Sequence, residues 1–230
     1  MQLYSECLYC MFDHHWSLVK DHQDEARKAA FMREVCRALA DADPSLASPV
    51  PTAKLQKLYT ARFPERDNYA ELKRRYNDMM LSRLPELREK LRGAPDPFKL
   101  AVWMAMAGNY IDFGILKEID DARLANMLLT PDEKAVGTPV LDELRADVRS
   151  ARHLVYACDN CGEVVLDMLL MEEMKRENPA LTITALVRGE NVLNDVTAED
   201  ARAVGLDRVA KIVGNGSNIG GTQLELHGEE

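Results

Sequence analysis

Three short apolar runs rich in β-forming residues, at 154–158, 181–187 and 209–213, constrain this chain more than any other feature. Helical patterns separate them. Residues 162–175 read as one helix. A second begins at Thr197-Ala198-Glu199-Asp200, which resembles a capping box, and stops near Gly205. Strands alternating with helices imply βαβ units and a parallel sheet. Upstream the pattern is helical throughout. Leu72, Tyr76, Met79 and Met80 follow helical spacing, and Pro85 is expected to kink that helix or start a new one. Asp96-Pro97 caps a stretch, 98–106, that is apolar nearly all round and is expected to be buried. Thr130-Pro131 opens a further helix with the stripe Val140, Leu141, Leu144 and Val148. The expected architecture is α/β, with a helical part over residues 1–150 packed on a Rossmann-like three-layer part over 151–230.

Ligands of open α/β sheets bind beyond the carboxyl ends of the strands. The first run is followed by Asp159-Asn160, the second by Asn194-Asp195, and the third by Asn215-Gly216-Ser217-Asn218. Three polar clusters therefore converge on one edge, although loops after strands are polar for ordinary reasons too. Two carboxylates and an amide carbonyl are hard oxygen donors suited to Mg²⁺ or Mn²⁺. Gly162 and Glu163 open the helix behind the first strand, where free backbone N–H groups can receive a phosphate. The loop around Ser217 can add donors, with a plain turn as the competing reading.

The composition narrows the partners. With a formal net charge of −9, the chain lacks the basic surface that nucleic acid or an anionic membrane requires. The N-terminus has no secretory pattern and no apolar run is long enough to cross a bilayer, so a cytoplasmic protein is expected. Five cysteines, an odd number, do not suggest a disulfide framework. Cys7-x-x-Cys10 and Cys158-x-x-Cys161 together spell a four-thiolate zinc site, but the second pair brackets the hard oxygen donors, and packing is favoured. Lys73 and Asn77 lie one turn apart on a charged face and read as solvated. Asn109 and Asp112, at the end of the apolar helix, either cap structure or line a site. The pattern carries no reading of the oligomeric state.

Four ordered motifs add a resemblance. Asp159-Asn160-Cys161-Gly162-Glu163, with Asp167 four residues on, resembles the DNxGE signature of the damage-control phosphatase family, first catalogued as a domain of unknown function. Asn194-Asp195-Val196-Thr197 with Asp200-Ala201 resembles its NDVTxxDA element, and residues 108–114 resemble its GNxIDFG segment. Cys7-Leu8-Tyr9-Cys10 resembles the amino-terminal CxxC of its stand-alone microbial branch. The resemblance implies a phosphatase of small phosphorylated metabolites, such as sugar phosphates, supported by Mn²⁺, Co²⁺, Ni²⁺ or Mg²⁺. It places the metal on Asp159, Asn160 and Asp195, favours a site role for Asn109 and Asp112, and hints that Lys73 and Asn77 approach the site. Members usually continue to a KGxGN segment whose lysine contacts phosphate. The sequence ends at Glu230 without one, so a truncated α/β part is expected. Two alternatives stand beside this reading. One is an S-adenosylmethionine-dependent carboxyl methyltransferase, which the lack of a glycine-rich GxGxG turn after the first strand disfavours. The other is a non-catalytic metal- or metabolite-binding module.

Overall fold

The structure is a computed structural model that describes residues 3–66, 69–109, 127–128, 130 and 137–221. The chain divides into two compact units, one of residues 1–68 with 216–230 and one of residues 69–215. Residue 150, where the sequence pattern changes, lies inside the second.

The first unit contains α1 (Ser5–Val19), α2 (Glu25–Ala40) and α3 (Pro49–Arg62). Asp24 caps α2 by accepting from the Arg27 N–H at 2.9 Å. The three helices bury Met11, Val19, Phe31, Val35, Leu55, Tyr59 and Phe63 together, with Phe31 and Phe63 edge to face at 5.4 Å. His15 joins this core beside Phe31, and burial pulls its pKa down to about 4.

The second unit carries the sheet. In chain order it has α4 (Tyr69–Gly93), α5 (Pro97–Gly108), α6 (Thr138–Ser150), β1 (His153–Ala157), α7 (Glu163–Glu177), β2 (Thr182–Val187), α8 (Ala198–Ala203) and β3 (Lys211–Gly214). The strands are parallel in the order β1-β2-β3, with Ala157 opposite Leu186 and Val187 opposite Gly214. The mixed helical and small parallel-sheet architecture expected from the sequence is the one observed. Helix α7 is the centre of the core. Val164, Val165, Leu166, Leu169 and Met171 are fully buried, and the helix packs against α4, α5 and α6. Its approach to α5 depends on Gly108, where an added Cβ would lie 3.0 Å from Leu166 Cδ1 and 3.1 Å from Glu163 Cγ.

Several local expectations change. Helix α4 runs unbroken through Pro85, because Met80, Leu84, Leu87 and Leu91 all face the core and outweigh a local penalty of about 3 kcal/mol. Helix α6 begins at Thr138 with Pro139 in its first turn; residues 131–136, including Glu133, lie outside the described residues. Val140 is exposed, and the stripe that meets the core is Leu141 and Val148 with the partly buried Leu144. Among the described residues β1 lies at an edge of the sheet, with one exposed face rather than both buried, and Val155 is 62% exposed. Among the described residues, no helix is long and apolar enough to cross a membrane.

Candidate functional site

The ladder between β1 and β2 extends past Ala157, since the Cys158 N–H donates to Leu186 O at 3.0 Å. Asp159 is therefore the first residue beyond the paired strand, and Arg188 holds the equivalent place after β2. The segment after β2 then doubles back. Leu193 adopts φ 46°, a left-handed conformation uncommon for a residue with a Cβ, and the Asp195 N–H closes a turn on Val192 O at 2.9 Å. Asn194-Asp195-Val196 thereby runs antiparallel to the segment after β1. The Cys161 N–H donates to Asn194 O at 2.9 Å and the Val196 N–H to Asp159 O at 2.8 Å. Asn160 and Asp195 form the bridge between those two bonds. Residues opposed in this way are a close non-hydrogen-bonded pair whose side chains leave the same face. Two segments that belong to parallel neighbours thus bring their polar side chains together.

Arg188 completes the cluster. Its Nε donates to Asp195 Oδ2 at 2.6 Å, and its Nη2 lies 3.7 Å from Asp159 Oδ1. The Asn160 amide nitrogen donates to Asp159 Oδ2 at 3.2 Å and to Glu163 Oε2 at 3.3 Å. The Asn160 side chain thus presents its amide nitrogen to both of these carboxylates. The Asp195 side chain is only 9% exposed, and burial raises its pKa despite the opposing pull of Arg188. The Asp159 side chain is half exposed, which makes it the open side of the cluster.

Buried side chains support this arrangement from below and behind. The Asn77 Oδ1 atom, on α4, accepts the Gly162 N–H at 2.7 Å. Gly162 has φ 86° and ψ −56°, a conformation that a side chain would strain. Lys73, one turn earlier, places Nζ 2.5 Å from Asp200 Oδ2 and 3.0 Å from Asn191 Oδ1. It therefore ties α4 to both ends of the segment that carries Asp195. Asp200 also accepts from the Thr197 N–H and Oγ1, completing the capping box that opens α8. Beneath Glu163, the Tyr156 hydroxyl donates to Asp167 Oδ1 at 2.7 Å. Complete burial raises the Asp167 pKa well above the ordinary range, and Glu163 adds to the effect.

The sequence-predicted residues fall as follows. Asp159, Asn160, Asp195 and Glu163 meet in one cluster. The Gly162 N–H, expected to receive a phosphate oxygen, is instead committed to Asn77. Asn109 is the exposed C-cap of α5, while Asp112 lies outside the described residues. Ser217 is buried and belongs to the first unit. Lys73 and Asn77 are not on a solvated face, since they are 3% and 5% exposed. Sequence reasoning passed over Arg188, which looks like an ordinary polar residue after a strand. The available signal was its position at the carboxyl end of β2, the same edge as Asp159.

The donor set suits a divalent ion. Two carboxylates and an amide carbonyl are hard oxygen ligands, and one guanidinium already spans both carboxylates. Among the described residues, no group of three or more His, Cys, Asp and Glu is arranged to hold a metal. The thiols of Cys158 and Cys161 are buried and their pKa values are pushed up, that of Cys161 to about 12, which favours packing over thiolate chemistry.

Comparison with known proteins gives a consistent picture. A family model described as the damage-control phosphatase ARMT1-like domain matches residues 3–230. A damage-control phosphatase of Archaeoglobus fulgidus is 36% identical over 161 residues, covering 69% of this chain and 54% of its own. An uncharacterized protein of Methanocaldococcus jannaschii is 34% identical over 173 residues, covering 71% of this chain and 54% of its own. A damage-control phosphatase of Pyrococcus horikoshii is 28% identical over 240 residues, covering 100% of this chain and 79% of its own. The match spans about half the length of the first two relatives. The crystal structure of a DUF89 family protein from P. horikoshii shares the fold, with a TM-score of 0.79 at 24% identity, covering 100% of this chain and 79% of that one.

Proposed function

The chain belongs to the damage-control phosphatase ARMT1-like family, and on that premise we propose that it is a divalent-metal-dependent phosphatase of small phosphorylated metabolites. Sugar phosphates and related damaged phosphometabolites are the substrate class. The observation that carries the reading is the backbone pairing of Asn160 with Asp195, which gathers two carboxylates and an amide at the carboxyl ends of β1 and β2.

Asp159, Asn160 and Asp195 would hold Mn²⁺, Co²⁺, Ni²⁺ or Mg²⁺, which when bound supplies Lewis-acid stabilisation of charge on the phosphoryl oxygens. The protein's own contribution is positioning and electrostatics. Glu163 fixes the orientation of the Asn160 amide through its contact with Nδ2. Asn77 fixes the start of α7, and Lys73 fixes the segment bearing Asp195, so the ligands sit on restrained backbone. The exposed side of Asp159 is where a phosphate can enter. Arg188 supplies positive charge beside it.

The test is phosphate release from a generic aryl phosphate and a panel of sugar phosphates. Each is assayed with Mn²⁺, Co²⁺, Ni²⁺ or Mg²⁺, and with a chelator. Release that requires metal and disappears in Asp159→Asn and Asp195→Asn is expected. Metal-independent release, or full activity in Asp159→Asn, would overturn the proposal.

A further inference from the structure

We propose that Arg188 is the phosphate-anchoring residue of this site: its guanidinium lies beside the Asp159 and Asp195 carboxylates, from where it can reach a phosphate. The inference rests on the reading of Asp159, Asn160 and Asp195 as metal ligands.

Three observations lead to it. First, the guanidinium lies between the two carboxylates, with Nε 2.6 Å from Asp195 Oδ2 and Nη2 3.7 Å from Asp159 Oδ1. A positive charge there is a competitor for a divalent cation, because it repels the ion and occupies a carboxylate oxygen. Second, the root of the side chain is pinned on both sides. The Arg188 N–H donates to Val196 O at 2.8 Å, and the Gly189 N–H donates to Asn215 Oδ1 at 2.9 Å. Gly214 packs against Gly189, where an added Cβ would lie 3.4 Å from Gly189 Cα. A fixed root with a long, rotatable arm lets the guanidinium move while its base stays at the sheet edge. Third, the side chain is 14% exposed and adjoins the half-exposed face of Asp159, where a phosphate enters. A planar guanidinium matches phosphate oxygens in a bidentate manner, which a lysine ammonium does not.

Release of Asp195 by Arg188 thus couples the two ligands. A divalent ion held by Asp159, Asn160 and Asp195 would compete with the guanidinium for the carboxylates, and Arg188, freed from them, would be within reach of a phosphate at the open side of Asp159. A merely structural Arg188, tying Asp195 to the sheet, predicts the opposite sign for metal affinity.

The experiment is isothermal titration of the full chain with Mn²⁺, then of the Mn²⁺-loaded protein with inorganic phosphate. Wild type, Arg188→Gln, Arg188→Lys and Asp159→Asn are compared. Removing the competing charge in Arg188→Gln is expected to tighten Mn²⁺ binding about tenfold and to weaken phosphate binding by at least about tenfold. Arg188→Lys keeps the charge and loses the fork, so Mn²⁺ affinity stays near wild type while phosphate affinity falls. If Arg188→Gln does not fold, Arg188→Lys decides: phosphate affinity equal to wild type overturns the proposal. Mn²⁺ binding by Arg188→Gln that is equal to or weaker than wild type also overturns it. A wild-type chain that binds no Mn²⁺, or an Asp159→Asn chain that binds it as tightly, overturns the metal reading itself. Loss of binding in Asp159→Asn with no change in Arg188→Gln removes only the role of Arg188.

Discussion

Asn77→Ala removes a buried hydrogen bond to the Gly162 N–H whose loss can be worked out from the structure. Asn77 is 5% exposed on α4, and its Oδ1 accepts the N–H of Gly162 at 2.7 Å. Gly162 is itself buried and sits at the N-cap of α7, the helix around which the second unit packs. Truncation to alanine leaves that N–H in the interior without its acceptor, and an orphaned buried donor costs about 1–3 kcal/mol. With about 2 kcal/mol lost and a urea dependence of about 2 kcal/mol per molar, the unfolding midpoint should drop by roughly 1 M. The assay is urea denaturation followed by circular dichroism. Arg74→Ala serves as control, because Arg74 is exposed on the same helix and its loss should stay within about 0.5 kcal/mol. A midpoint shift for Asn77→Ala no larger than that of Arg74→Ala would refute the claim that this bond organises the start of α7.

Three further outcomes are expected. In a double-mutant cycle, Lys73→Met and Asp200→Asn should show a coupling energy of about 1–2 kcal/mol, and additive effects would show that the pair is not coupled. Asp167 has a folded-state pKa raised by burial, so the folded protein keeps a proton that the unfolded chain releases above about pH 4. The stability this proton confers is present at low pH and lost as pH rises toward the folded-state pKa. Wild type should lose up to about 1.4 kcal/mol per pH unit relative to Asp167→Asn across that window, and a pH-independent gap in urea midpoints would contradict the assignment. Gly162→Ala, which forces a side chain onto φ 86°, should cost about 1–3 kcal/mol in the same assay, and a neutral result would show that the turn tolerates a Cβ.

The elements of the second unit were legible because their signals are local. Apolar runs bounded by polar clusters announced the strands, and the capping box at Thr197 and Asp200 appears as read. Gly205 stops α8 with φ 85°, as a helix-terminating glycine should. What was not legible depends on partners distant in sequence. Pro85 looked like a break because its local cost is visible, whereas the packing of Leu84 and Leu87 against the core is not. Lys73 and Asn77 looked solvated because their neighbours Arg74 and Arg75 are charged, while their partners lie 118 and 85 residues away. The convergence of Asp159 with Asp195 was readable from the strand-end rule. The antiparallel return at Leu193 that brings Asp195 opposite Asn160 was not, since no turn motif marks that left-handed leucine. Arg188 was missed because it looks like an ordinary polar residue after a strand, although its place at the carboxyl end of β2 was readable.

The central claim is that two carboxylates and one amide from facing segments hold a single divalent ion. The most direct measurement is an anomalous-difference map from crystals of the full chain grown with Mn²⁺. The account predicts one strong peak about 2.0–2.3 Å from a carboxylate oxygen of Asp159, the carbonyl oxygen of Asn160 and a carboxylate oxygen of Asp195. A saturating Mn²⁺ soak that leaves those three side chains without a peak, or places the ion elsewhere, would contradict it.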